Sequence, residues 1–235
     1  MAAQAPIKAI VFDKDGTLFD FQATWGAWSL GLLRDEARGD PDRLRALSDA
    51  IGYDIENRVF RADSIVIAST TDLVADRILA HLPGETKSAL MARMDARAAT
   101  APQVEAAPLR PLLAELRGRG LRLGIATNDT EAPARAHLAA AGVEEMFDFI
   151  AGYDSGHGGK PAPGQLVAFA EAVAVDPAHC AMVGDSLHDL HAARAAGMVA
   201  VAVLTGIAGH ADLAADADVV LASIAELPDW LDGRA

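Results

Sequence analysis

Ile10-Val11-Phe12-Asp13-Lys14-Asp15-Gly16-Thr17-Leu18-Phe19-Asp20 is the stretch whose reading decides the fold. A run from Ile7 to Phe12, mostly apolar and β-branched, leads straight into two carboxylates spaced i, i+2, and a glycine then turns the chain. Such a run reads as a central strand covered on both faces. In open parallel α/β sheets the ligand crevice lies outside the carboxyl ends of the strands, so Asp13 and Asp15 stand where chemistry is expected. Two acids so close repel each other unless a cation or a shared proton compensates, which makes a divalent metal the first expectation. An Asx-type turn at a strand end is the bland alternative for this stretch taken alone. A calcium loop would need a longer run of acids ending in glutamate between two helices, and the sequence has neither.

Downstream, the texture changes. Residues 21–103 lack strand-like apolar runs and carry helical spacing instead, as in Trp25, Trp28, Leu32, then Leu44, Leu47, Ile51, then Leu73, Val74, Ile78. Pro41, Gly52 and Pro83-Gly84 punctuate them, and Ala101-Pro102 with Ala107-Pro108 forms a return hinge. The expectation is a helical insertion at 21–103, with residues 1–20 and 104–235 forming the other unit. From about 104 the chain alternates helix and strand. Leu109, Leu112, Leu113 and Leu116 make one helical stripe, and strands follow at Leu121–Ala126, Phe147–Ala151, Cys180–Val183, Val199–Leu204 and Val219–Leu221. Alternation of this kind implies right-handed crossovers and a doubly wound parallel sheet with helices on both faces, an α/β fold.

Composition bounds the partners. The formal charge is −13, from 20 basic and 33 acidic residues, which argues against a broad basic face for nucleic acid or anionic membrane. Cys180 is the one cysteine, so no internal disulfide forms; it sits in an apolar run and reads as a small buried hydrophobe. The longest apolar run, Met198 to Leu204, is too short to span a bilayer, and no signal peptide is visible. The expectation is a cytoplasmic protein, monomeric or homodimeric.

Three further stretches can carry chemistry. Gly184-Asp185-Ser186-Leu187-His188-Asp189 follows a strand; Ser186 and Asp189 have the spacing of a capping box, which leaves Asp185 free to add a third carboxylate to the crevice. Oxygen ligands of this type suit Mg²⁺. Thr127-Asn128-Asp129 ends another strand. Lys160, one of only four lysines, lies between Gly159 and Pro161 ahead of a helix, a placement that suits an anion.

In this order, the Asp-x-Asp-Gly-Thr-Leu, Ile-Ala-Thr-Asn, Gly-Lys-Pro and Gly-Asp-Ser-x-x-Asp stretches resemble the four motifs of the haloacid dehalogenase-like hydrolase superfamily. The likeness covers the whole chain, and its helical insertion resembles the cap of the phosphoglycolate-phosphatase-like and β-phosphoglucomutase-like branch. The resemblance implies a Rossmann-like core and a cap that closes over a small phosphorylated metabolite. It implies that Asp13 is the nucleophile and Asp15 the general acid and then base. It further implies that Thr127, Asn128 and Lys160 hold the phosphoryl group. Mg²⁺ would rest on Asp13, the backbone carbonyl of Asp15, and Asp185, with Ser186 and Asp189 supporting it from behind. Transport ATPases of the superfamily carry Asp-Lys-Thr-Gly-Thr and membrane spans, and its haloalkanoate dehalogenases lack the second acid, so Asp15 points to phosphoryl transfer.

The expected activity is thus Mg²⁺-dependent hydrolysis of a phosphoglycolate-like ester. A sugar-phosphate phosphomutase is the alternative, and a non-catalytic phosphate-ester binder a third. In the insertion, Arg58, Arg61, Ser64, Ser69, Thr70 and Thr71 form a polar stretch, from which Arg61 is expected to reach an anionic group of the substrate. Trp25 and Trp28 are expected in the insertion's core, and His157, His188 and His191 as solvated or supporting groups.

Overall fold

The computed structural model describes residues 5–61, 63–67 and 69–234. Six parallel strands form its sheet: β1 (Ala9–Phe12), β4 (Arg122–Ala126), β5 (Phe149–Ala151), β6 (Cys180–Gly184), β7 (Val199–Val203) and β8 (Val219–Leu221), in the order β5-β4-β1-β6-β7-β8. The chain builds outward from β1 in one direction through β4 and β5, then crosses back to build β6, β7 and β8 on the other side. The reversal at β1 makes its carboxyl end the topological switch point of the sheet, where such folds bind ligands.

Strand periodicity sorts the side chains. Ile10 and Phe12 of β1 join an apolar cluster with Leu123, Ile125, Val183 and Val201, covered by α5 (Leu109–Gly118). Ala9 and Val11 point the other way, into a cluster with Met182, Ala200 and Phe169, covered by α7 (Gly164–Val173) and α8 (Leu187–Ala196). Both faces of β1 are thus buried, as its apolar run requires. Two further short helices, α9 (His210–Leu213) and α10 (Leu227–Asp232), complete this part, and α6 (Glu131–Ala140) connects β4 to β5.

Between β1 and α5 the chain forms α1 (Phe21–Ala37), α2 (Pro41–Ile51), α3 (Thr71–Leu79) and α4 (Lys87–Ala98). These pack around their own apolar cluster, which contains Leu33, Leu47, Ile78, Leu90 and Met94. Asp20 caps α1 by accepting from the Ala23 amide at 2.8 Å. The segment is not wholly helical: β2 (Tyr53–Asp54) and β3 (Val59–Phe60) form a two-stranded antiparallel hairpin. Its strands are too short to show period-2 alternation. The hairpin is held by an Asp54 turn that accepts from the amides of Glu56 and Asn57, and by the Tyr53 hydroxyl donating to the Gly26 carbonyl at 2.6 Å.

Candidate active site

Asp13, Thr127 and Asp185 follow directly on the ends of β1, β4 and β6, while Lys160 lies in the segment between β5 and α7 and Asp189 in the first turn of α8. Asp13 comes immediately after β1, and its amide donates to the Val183 carbonyl on β6 at 2.8 Å. Gly16 then takes a left-handed turn, at φ +80°, and a side chain there would run into the Asp185 carboxylate. Gly206, after β7, makes an equally close approach to Asp185. These two glycines let backbone from both sides close around one acid. Thr205 ties the same turn to β7, its hydroxyl donating to the Gly16 carbonyl at 2.6 Å.

Asp13, Asp185 and Asp189 converge, with one carboxylate oxygen of each within 4.8 Å of the others, and all three are buried. Lys160, itself buried, donates to Asp13 Oδ1 at 2.7 Å and to Asp189 Oδ1 at 2.6 Å. Asp189 Oδ2 accepts from both the amide and the hydroxyl of Ser186, at 3.1 and 2.7 Å, so both of its oxygens are engaged by protein donors. One ammonium, bonded to Asp13 and Asp189, thus stands among three buried acids. Burial pushes the Asp13 carboxyl up to about 7, the charges of Asp189 and Asp15 add to the rise, and Lys160 pulls against it. Burial, then the charges of Asp13 and Asp189, raise Asp185 well above the ordinary carboxylate range. Burial works against the charge of Lys160, but Asp13 and Asp189 outweigh it and hold the ammonium firmly protonated. A divalent cation among Asp13 and Asp185 fits this charge deficit, and hard oxygen donors fit Mg²⁺.

Thr127 sits at the end of β4 and is buried. Its hydroxyl oxygen accepts from the Asp129 amide at 3.1 Å, and its carbonyl accepts from Gln165 at 2.9 Å. Asn128 accepts from the Lys160 amide at 2.8 Å and donates to the Lys160 carbonyl at 3.0 Å. The side chain expected to hold phosphate is therefore engaged in clamping the backbone that presents Lys160.

Asp15 has two partners that the sequence reading did not anticipate. Lys14 donates to Asp15 Oδ2 at 2.7 Å, and the Trp25 indole of α1 donates to Asp15 Oδ1 at 2.8 Å. Lys14 is fully buried, lies 3.5 Å from Asp129 Oδ2 and sits 5.3 Å from the centre of the Trp25 ring. It also meets His137 Nδ1 at 3.1 Å, while His137 Nε2 meets the Ala98 carbonyl of α4 at 2.6 Å. Burial and the charge of Lys14 push His137 down to about 4, so the ring is neutral; it accepts from Lys14 and donates to Ala98. Burial raises Asp129 to about 6 against the pull of Lys14. The signal for this cluster was a lysine lodged between two motif acids, where a fully buried cation must be paired.

A cleft of about 90 Å³ opens on these groups, lined by Asp13, Asp15, Thr127 and Lys160 on the strand side and by Trp25, Val74 and Met94 on the helical side. Thr71 donating to Asp129 and Thr130 donating to Asp95 bridge its two walls. The latter bond explains why Thr130 precedes α6 without capping it through its side chain. His188 lines the cleft as well, whereas exposed His191 lies 3.4 Å from Asp216. Arg61 does not come to the cleft: it is exposed and faces Asp49 and Asp63, at 3.3 and 3.8 Å. An arginine among neighbouring surface acids finds partners there without crossing to the ligand side. Among the described residues, no helix is long and apolar enough to cross a membrane.

Comparison with known proteins agrees with this arrangement. The profile of the haloacid dehalogenase-like hydrolase family matches residues 7–197. "Probable phosphatase IndB" of Dickeya dadantii is 32% identical over 228 residues, covering 93% of this chain and 90% of that protein. A phosphoglycolate phosphatase of Rhodospirillum rubrum is 31% identical, covering 95% of this chain and 90% of its own length. The crystal structure of a haloacid dehalogenase phosphatase from Thermococcus onnurineus superposes with a TM-score of 0.68 at 25% identity, covering 97% of this chain and 99% of that one. With four motifs at the carboxyl ends of one parallel sheet and a family match over most of its length, the chain belongs to the haloacid dehalogenase-like hydrolases, on their phosphoglycolate-phosphatase-like branch.

Proposed function

We propose that this chain is a Mg²⁺-dependent phosphatase that hydrolyses a small phosphate monoester through an aspartyl-phosphate. The observation that carries the reading is the meeting of Asp13 and Asp185, from two adjacent strands, beside the single ammonium of Lys160. Residues 21–103 act as a cap over a core made of 1–20 and 104–235. The names of the relatives, phosphoglycolate phosphatase among them, support a small phosphorylated metabolite as the substrate.

In the first half-reaction Asp13 attacks phosphorus and the bond to the ester oxygen breaks. Asp15, held by Lys14 and Trp25, donates a proton to that leaving oxygen. Thr127 and Lys160 take the phosphoryl oxygens and counter the repulsion between carboxylate and dianion. In the second half-reaction Asp15 removes a proton from water, the water oxygen attacks phosphorus, and Asp13 and inorganic phosphate are released. Asp13, Asp185 and the Asp15 carbonyl would hold Mg²⁺, which when bound supplies further positive charge against the phosphoryl oxygens. Asp189 and Asn128 are positioning groups, one bonded to the Lys160 ammonium and the other to its backbone.

The test is phosphate release from a panel of monoesters with Mg²⁺. Asp13→Asn is expected to lower turnover by at least roughly 10⁴-fold, the scale for removing a nucleophile, and EDTA is expected to stop it reversibly. Full turnover by the variant or in the chelator would overturn the reading.

A further inference from the structure

Beyond the phosphate, the cleft has a definite chemical character. Its helical wall is largely apolar and aromatic: Phe21, Trp25 and Trp28 from α1, Val66 from the segment before α3, Val74 from α3, and Met94 from α4. Its charges are almost all negative. Asp13, Asp15, Asp95 and Asp129 line it, and among the described residues Lys160 is the one lysine or arginine that does. Lys160 is already engaged by Asp13 and Asp189. Lys14 lies behind the surface, fully buried and paired with Asp15 and Asp129.

The nearest basic residues in sequence are turned elsewhere. Arg93 and Arg97 flank Met94 and Asp95 on α4, yet pair with Glu36 and Asp35 of α1. Arg61 is taken by Asp49 and Asp63. Beyond Lys160 the cleft thus offers a carboxylate or a second phosphate on the substrate no lysine or arginine, only His188 and the neutral side chains Ser69, Thr71, Asn128 and Ser186 among apolar groups and acids. Burying an unpaired charge in such surroundings is strongly unfavourable.

We propose that the group esterified to the phosphate is uncharged and presents an apolar face to the helical wall, so that acidic esters such as phosphoglycolate and bisphosphates are poor substrates. This rests on the phosphatase reading and refines it. The phosphoryl group would be drawn to Lys160 and Thr127, and the remainder of the ester would be selected by exclusion of charge as much as by contact.

A matched pair of esters tests this. Isobutyl phosphate has the skeleton of phosphoglycolate with the two carboxylate oxygens replaced by methyl groups. In phosphate-release assays with Mg²⁺, kcat/KM for isobutyl phosphate is expected to exceed that for phosphoglycolate by roughly 10- to 100-fold, the range for leaving one charged group unpaired. Ser69 lines the cleft and is half-buried, so Ser69→Arg brings a cation to the wall. That variant is expected to shift the ratio toward phosphoglycolate by about tenfold or more, and the neutral Ser69→Gln is expected not to. Equal or faster turnover of phosphoglycolate by the unaltered enzyme would overturn the inference and leave the phosphatase reading standing. Release of phosphate from neither ester, nor from any monoester of the panel, by the folded, Mg²⁺-supplied protein would overturn both.

Discussion

Replacing Asp185 with asparagine is expected to stabilise the metal-free protein while removing its response to Mg²⁺. The carboxylate oxygens of Asp13, Asp185 and Asp189 lie within 4.8 Å of one another, with one lysine among them. Two unit charges at that separation repel by about 3 kcal/mol at an effective dielectric of about 20. The wild-type chain escapes part of this cost by taking up a proton, so Asp185→Asn is expected to recover about 1–3 kcal/mol, a Tm rise of roughly 2–10 °C for a chain of this size. The sign with pH follows from the direction of the shift. Asp185 titrates higher in the fold than in the unfolded chain, so its penalty is absent at acid pH and grows as pH rises through the folded value. The advantage of asparagine is therefore expected in EDTA at mildly alkaline pH and should vanish under acid conditions. A ligand that binds only the native state at a hundredfold excess over its Kd adds about 2.7 kcal/mol, and the variant is expected to lose most of that gain from Mg²⁺. Differential scanning fluorimetry with EDTA or Mg²⁺ across a pH series reads both effects. A variant less stable than wild type in EDTA, or equally stabilised by Mg²⁺, would refute the idea that Asp185 is held for a cation.

Three further outcomes follow from the same geometry. Lys14→Met leaves Asp15 and Asp129 without their buried cation and is expected to cost about 3–5 kcal/mol in urea unfolding; an unchanged midpoint would show that Lys14 is not the counterion of this cluster. Arg61→Ala is expected to change kcat/KM by no more than about twofold, because its partners are exposed acids outside the cleft; a tenfold loss would return it to the substrate site. Metal-free stability is expected to fall as pH rises through about 6 and then about 7, where Asp129 and Asp13 lose protons that burial favours; thermal unfolding in EDTA checks this, and a rise in stability over the same interval would contradict it.

That Asp13 and Asp185 would come together was legible because strand ends announce themselves. Ile7–Phe12 runs straight into Asp13 and Cys180–Val183 reaches Asp185 after one glycine, and a parallel sheet with β1 at its centre brings such ends together. What the sequence hid were contacts that depend on the packing of the helical segment. Nothing near His137 marks it as the acceptor for Lys14, since α6 and the turn after β1 are far apart in the sequence and meet only in the fold, with Ala98 of α4 taking the ring's other nitrogen. Trp25 reads as a core residue from its spacing, and it does lie in the helical segment's apolar cluster, but its indole also reaches Asp15. Arg61 misled for the opposite reason: positive charge in a polar stretch suggests a ligand, but local carboxylates claimed it. The β2–β3 hairpin escaped notice because its strands have two residues each.

Asp13 is proposed here as the group that takes the phosphoryl from the substrate, and acid-quenched peptide mass spectrometry during turnover of a rapidly hydrolysed monoester reads whether it does. A phosphoryl adduct on the peptide containing Asp13, lost in Asp13→Asn, is the predicted result. Sustained phosphate release with an adduct on Asp15, or on neither acid, would contradict it.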